Sequence, residues 1–406
     1  VAAWCSENLE TSTANAGTSA TAERTPQLSI VPDRPLWSRD KPFPARVEEV
    51  RRITSSASSK DVRHVVLSLE GSGLAWEPGD SLAVRAPNDA ETVNDLLAIT
   101  AITPSLRVEL GGFERTVRDW LTHHLEITRL APSTVLGWAR LSGNPGLKAR
   151  FESMSDTEMK AFVEQHQLLD LAEAWPARPA AMELLELLRP LASRSYSIAS
   201  SAAASGDEIH LTVASHFSNA IGHRREGQAS NHLNRQLQPG DEVRVFLEPN
   251  SRFRLPENRT APLVLIAAGT GIAPYRAFFQ QLEEEGAAPR SWLIVGNPNQ
   301  RSDFLYQPEW LNWRSGGLLE RIDTAFSRDQ AEKRYVQHVV RERARELSEW
   351  LEWGAHVYLC GSLAMGHAVE EALKEGLQEV RGLSGRGADD YLAQLRLEQR
   401  IKKDLY

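Results

Sequence analysis

Leu263-Val264-Leu265-Ile266-Ala267-Ala268-Gly269-Thr270-Gly271-Ile272-Ala273-Pro274 passes from a short apolar run directly into a glycine-rich turn. The run from Leu263 to Ala267 is bounded by that turn and is too short for an ordinary helix, so it reads as a buried strand. Glycines let a backbone approach a phosphate closely, and Pro274 suits the first turn of a helix. A helix containing Tyr275 to Gln281 is therefore expected to open here, with free N–H groups and a dipole that favour an anion. The spacing is not GxGxxG. Two readings stand for Gly269, Thr270, Gly271 and Pro274: a phosphate-binding turn, or a turn that serves the fold alone.

Working outward, Trp292-Leu293-Ile294-Val295 and His356-Val357-Tyr358-Leu359 repeat the short apolar strand, with helical stretches between. That alternation predicts a doubly wound parallel sheet over residues 259–406, and ligands of such sheets bind beyond the C-terminal strand ends. Upstream the pattern differs. Ala45 to Val50 and His64 to Leu69 alternate, the turn Glu77-Pro78-Gly79-Asp80 leads into Ser81 to Val84, and strands return at 194–200, 208–215 and 242–248. Between them Glu91 to Ile99, Asp156 to Trp175 and Ala181 to Leu188 carry helical spacing. The order predicts an antiparallel β-barrel (42–88 and 190–258) interrupted by a helical connecting insertion (89–189). The fold class expected is therefore multi-domain β + α + α/β.

Composition bounds the function. A chain of 406 residues is too long for one compact core, and 41% hydrophobic with 25% charged residues is globular composition. A net charge of -8 argues against nucleic acid, and no apolar run long enough to span a membrane occurs. Two distant cysteines, Cys5 and Cys360, without CxxC spacing, fit a reducing compartment, the cytoplasm, and no metal site. Residues 1–10 have helical spacing, and 11–41 have the composition of a linker. They read either as a disordered tail or as the last helix of a preceding domain.

Arg194-Ser195-Tyr196-Ser197 places a cation, an aromatic ring and hydroxyls on one strand, the groups needed to hold a flavin: a fork for pyrophosphate, a plate for the ring and a hydroxyl near its reactive nitrogen. A plain buried strand explains the pattern as well. Gly227-Gln228-Ala229-Ser230 is a second small-residue turn entering a helix, suited to another pyrophosphate. Ser327, Arg328, Lys333, Tyr335 and Gln337 gather hydroxyl, cations and an aromatic within eleven residues. They suit a phosphate monoester and an adenine, or else form a solvated charged loop. Cys360-Gly361-Ser362 ends one strand, and the chain stops on Asp404-Leu405-Tyr406, where fraying is the default.

These segments, in this order, resemble the FAD and NADPH module of the diflavin reductases in the ferredoxin–NADP reductase superfamily. Lys60 to His64, Trp76 to Asp80, Asp303 to Trp310 and Ser327 to Gln337 are most similar to the flavoprotein (alpha) subunits of assimilatory NADPH-sulfite reductases. The resemblance implies an NADPH-dependent oxidoreductase with FAD and NADPH as cofactors. Arg194 and the 227–230 turn would bind the FAD pyrophosphate, with Thr212, Val213 and Ala214 nearby and Thr128 at the adenosine end. Tyr196 would pack on one flavin face and Tyr406 on the other. Ser197, Cys360 and Asp404 would assist hydride transfer, and Ser327, Arg328, Lys333 and Tyr335 would take the 2′-phosphate and adenine.

The same resemblance implies a preceding FMN-binding flavodoxin-like domain, of which residues 1–10 would be the last helix. Electrons would then pass to FMN and to a siroheme, iron–sulfur beta subunit that reduces sulfite to sulfide. A cytochrome or ferric acceptor is the alternative. Two departures stand out: Ser362 where many relatives carry Asp, and Ala368 where an acidic residue is expected against the nicotinamide nucleotide.

Overall fold

Alternation of buried and exposed residues makes Phe43–Arg52 (β1) a strand with Ala45 and Val47 pointing inward. The computed structural model describes residues 36–406, apart from 221–222 and the side chains of 218–220, 223 and 224. The expected helix at 1–10 and most of the expected linker lie outside those residues. Trp37–Tyr406 forms one compact unit.

Val62–Ser68 (β2), Ser81–Arg85 (β3), the hairpin Arg107–Leu110 (β4) with Phe113–Thr116 (β5), Arg194–Ser197 (β6), Glu208–Ala214 (β7), the hairpin Phe217–Ala220 (β8) with His223–Glu226 (β9), and Glu242–Glu248 (β10) follow in chain order. Six of them form an antiparallel sheet in the order β6-β3-β10-β1-β2-β7. Just past β6 a bridge between Ile198 and Leu211 joins the two ends, and Ala199 N donates to His210 O at 2.8 Å. The sheet thereby closes into the expected barrel. Its interior is filled by every second residue, among them Val65, Leu67, Leu82, Val84, Leu211, Val243 and Val245.

The insertion has its own core around Trp138, Phe151 and Leu184. Two expectations fail there. The run 156–175 is two helices, Asp156–Gln165 and Leu168–Ala174. The second is restarted by the buried Asp170 carboxylate, which accepts from Gln167 N at 2.7 Å and from Arg225 Nε at 2.8 Å. The β4–β5 hairpin was hidden by the helical periodicity around it. Its turn is Gly111-Gly112 with φ of +61° and +81°, the pair of left-handed residues that a tight hairpin requires.

The second sheet is parallel: Leu263–Ala268 (β11), Ser291–Asn297 (β12), Arg321–Phe326 (β13), His356–Gly361 (β14) and Ile401–Leu405 (β15), in the order β13-β12-β11-β14-β15. The three central strands were legible because both faces are covered and the runs are apolar. The edges β13 and β15 carry Asp and Lys or Arg and give no such run. The C-terminus does not fray; it is the fifth strand, in register with β14 from Val357↔Ile401 to Gly361↔Leu405. Between β13 and β14 run two helices, Val336–Glu342 and Ala344–Glu352, divided at Arg343.

Barrel and parallel sheet meet through buried polar groups. The Tyr306 hydroxyl lies 2.7 Å from Thr212 Oγ1 and 3.0 Å from His64 Nδ1. His64 and His210 pack edge to face at 4.8 Å. Burial first, then His210 and Arg276, pushes His64 down to about 3, and burial with Arg276 pushes His210 down to about 4. Both are neutral in the fold and protonate near pH 6.5 once unfolded. The unfolded state therefore takes up more protons below that pH, and stability falls as pH drops from about 6.5 toward 4. Urea unfolding at pH 7 and pH 5 should show a loss on the order of a few kcal/mol, smaller in His210→Gln. An unchanged midpoint would contradict this assignment.

Candidate functional site

Ser197, at the end of β6, donates its hydroxyl to Asp404 Oδ2 at 2.6 Å. Cys360 on β14 is the register partner of Asp404 on β15, and its Sγ lies 3.8 Å from the same oxygen. One carboxylate thus gathers a hydroxyl from the barrel and a thiol from the parallel sheet. Burial, then the Asp404 charge and its hydrogen bond, pushes the Cys360 thiol well above its ordinary range. The sulfur is therefore a neutral S–H, not a thiolate.

Tyr406 closes the same place. Its N–H donates to Gly361 O at 3.0 Å, its hydroxyl lies 2.8 Å from Thr270 Oγ1, and the side chain stays 60% exposed. Gly271 explains how the turn comes so near. A Cβ there would lie 2.1 Å from Cys360 O, so the glycine's close approach is to strand β14. Gly269, Gly271 and Pro274 do not border the cavity that follows; Thr270 and Ala273 do.

That cavity, about 960 Å³, is bordered by Arg194, Tyr196 and Ser197, by Thr212 and Ala214, by Gly227 to Ser230, by Thr128, and by Tyr406. Its size is at the upper end for a small-molecule site. Of the residues expected to hold FAD, Val213 alone does not border it, while Ser195 and Gln228 border it with polar groups already bound within the protein. Val213 is fully buried among barrel residues, because it alternates with Thr212 and Ala214. The Ser195 hydroxyl donates to Glu248. Gln228 is turned so that Nε2 donates to Ala86 O, leaving Oε1 buried without a partner.

Sequence reading missed Glu126. Arg194 Nη2 donates to Glu126 Oε2 at 2.7 Å, while Oε1 accepts from Thr128 N at 3.0 Å and Thr128 Oγ1 at 2.8 Å. Burial alone would raise the Glu126 carboxyl, but Arg194 and Thr128 outweigh it and hold the group ionised. The acid two residues before Thr128 was the available signal. Lys160, Glu164 and Gln167 of the insertion also border the cavity.

Residues 36–232 match the FAD binding domain family, and residues 265–371 match the oxidoreductase NAD-binding domain family. Over 371 residues, 91% of the chain, the sequence is 40% identical to the sulfite reductase (NADPH) flavoprotein alpha-component of Mannheimia succiniciproducens, of which it covers 62%. It is 42% identical over 93% of its length to that of Neisseria meningitidis serogroup C, and 41% identical over 91% to that of Bacillus subtilis. The two matched domains and the two sheets are those of the ferredoxin–NADP reductase fold. It spans 62% of the length of these curated relatives.

The second group of expected residues lies on the far edge of the parallel sheet. Ser327 N donates to Asn297 O at 3.0 Å and Arg328 N to Pro298 O at 2.8 Å, so the loop is seated on the ends of β12 and β13. Arg328 Nη1 donates to Ser59 Oγ at 3.1 Å. Lys333 is exposed, Tyr335 is 42% exposed, and Gln337 sits in the first turn of the helix Val336–Glu342. β13 and β15 are separated by four interstrand steps, roughly 19 Å at ~4.8 Å each, a span suited to an extended dinucleotide. The Ser362 departure is a like-for-like cap: its Oγ accepts from Met365 N at 3.2 Å, as an Asp would. Ala368 supplies no carboxylate.

Two outcomes follow from the packing. Gly271→Ala should lower stability by about 1–3 kcal/mol in urea unfolding; an unchanged midpoint would show that the turn can move away from Cys360. Iodoacetamide at pH 8.5 should leave Cys360 unmodified in the native chain, mapped by mass spectrometry, and label it after unfolding. Rapid native labelling would contradict the buried neutral thiol.

Proposed function

We propose that this chain is the FAD- and NADPH-binding part of an assimilatory sulfite reductase flavoprotein. The observation that carries the reading is the Ser197–Asp404–Cys360 cluster, of which Ser197, like Tyr406, borders the large cavity. FAD, when bound, supplies a two-electron acceptor for hydride from NADPH and releases electrons one at a time. Its residue set fits: Arg194 is a fork for the pyrophosphate with Glu126 fixing its direction, and the 227–230 turn offers backbone N–H groups. Tyr196 would hold one face of the ring, Tyr406 would shield the other from nicotinamide, and Thr128 would hold the adenosine end.

Around the nicotinamide, each side chain has a separate task. The Asp404 carboxylate would stabilise the positive charge that develops on a nicotinamide ring as hydride leaves. Ser197 holds that carboxylate in place. Cys360, neutral and buried, presents a soft surface that excludes water without competing as a nucleophile. Arg328 and Lys333 take the 2′-phosphate with Ser327, Tyr335 stacks on adenine, and Gln337 completes the adenosine site. Downstream, the electrons pass to FMN on a flavodoxin-like domain and to a siroheme, iron–sulfur beta subunit that reduces sulfite to sulfide, in the cytoplasm. The names of the similar proteins, sulfite reductase (NADPH) flavoprotein alpha-components, support sulfite reduction as the destination.

Anaerobic mixing of the purified, FAD-loaded chain with NADPH should bleach the flavin spectrum rapidly, and NADH should do so far more slowly. Absence of bleaching by NADPH sinks the reading. Arg328→Ala should raise the NADPH KM about ten-fold, ~1.4 kcal/mol, without altering the KM for NADH. Removing Tyr406 should narrow the NADPH/NADH preference, and an unchanged preference would remove its shielding role.

A further inference from the structure

Arg276 reaches across the junction between the two sheets. It lies on the helix Ala273–Glu284, only 8% exposed, where a charge is costly unless paired and hydrogen-bonded. Its Nε donates to Glu309 Oε2 at 2.7 Å. Its Nη1 donates to Ala199 O at 2.7 Å and approaches His210 Nδ1 at 3.1 Å. The guanidinium also lies over the Tyr306 ring at 5.1 Å. Glu309 and Tyr306 belong to the parallel-sheet half. Ala199 and His210 belong to the barrel, at the bridge where the sheet closes.

The partners divide the work. Glu309 neutralises the charge, so that the contacts to the barrel are free to set position. A guanidinium only donates, so His210 accepts at Nδ1 and carries its proton on Nε2. That nitrogen has no hydrogen-bond partner and faces Glu208 at 3.8 Å. Ala199 O is two residues beyond Ser197. At the other end, the helix bearing Arg276 begins directly after Thr270 and Gly271, which contact Tyr406 and the Cys360 backbone. One side chain thus links the strand carrying Ser197 to the element packed on Cys360. A lysine has no planar fork and cannot hold Glu309, Ala199 and His210 together.

We propose that Arg276 is a positioning residue for hydride transfer, fixing the register of the Ser197 strand against Cys360 and Asp404. The role rests on the function proposed above. It acts through Ser197, so its effect requires the Ser197 hydroxyl.

Four full-length chains test this: the wild type, Arg276→Lys, Ser197→Ala and the double variant. Two readouts are used, amide hydrogen exchange of residues 194–201 without FAD, and single-turnover reduction of the FAD-loaded chain by NADPH. Arg276→Lys should raise exchange at 194–201 while leaving 263–268 protected. It should slow reduction about ten-fold with FAD content and affinity for 2′,5′-ADP within two-fold of wild type. In the Ser197→Ala background the same substitution should slow reduction less than three-fold. Unchanged exchange at 194–201, or an equal loss in both backgrounds, overturns the proposal. If Arg276→Lys does not fold, Glu309→Gln is judged by the same criteria. If the wild type itself is not reduced by NADPH, the proposed function fails, and hydrogen exchange alone decides whether Arg276 fixes the strand.

Discussion

The hydrogen bond from Ser197 to Asp404, across 207 residues of sequence, is the contact on which the site depends. Its donor ends a barrel strand and its acceptor lies on the last strand of a different sheet. For the two to meet at 2.6 Å, the barrel must close past Ser197, β15 must pair with β14, and the two sheets must be held in one register. Each condition has its own physical support. The Ile198–Leu211 bridge closes the barrel, parallel pairing carries Asp404 beside Cys360, and the buried polar junction around Tyr306 and Arg276 joins the halves.

That dependence explains why small features carry large structural weight. Gly271 has no room for a methyl group because the Cys360 carbonyl occupies it. Arg194 is not simply a free cation waiting for an anion; Glu126 already holds one side of its fork at 2.7 Å, which costs charge but fixes direction. The chain is acidic overall, with a formal net charge of -8, so anion recognition is local and built from such oriented groups rather than from a general positive field.

Much of this was legible in the residues. Apolar runs gave the central strands β11, β12 and β14, because a strand covered on both faces needs no alternation. The polar segments at 194–197 and 227–230 and the terminal Tyr406 border one cavity. What could not be read has physical causes. β15 is an edge strand, and Ile401-Lys402-Lys403-Asp404-Leu405 has the polarity of a tail until a neighbour pairs with it. The helix break at 166–167 depends on Asp170 finding Arg225, a contact 55 residues away. Val213 illustrates the reverse case: the resemblance implied a place near the flavin, while period-two alternation turns its side chain into the barrel. For Gly271 a phosphate-binding turn and a purely structural one were both open, and its observed constraint, the neighbouring strand, is the structural one.

The central claim is that Asp404, positioned by Ser197 from the other sheet, acts on the hydride step itself. The most direct test is the primary deuterium isotope effect on single-turnover reduction by NADPH in wild type and Asp404→Asn, with FAD content measured in parallel. The account predicts that Asp404→Asn keeps its FAD, is reduced at least ten-fold more slowly, and shows an isotope effect at least as large as wild type. Reduction at the wild-type rate, with the carboxylate gone and the flavin retained, would contradict it.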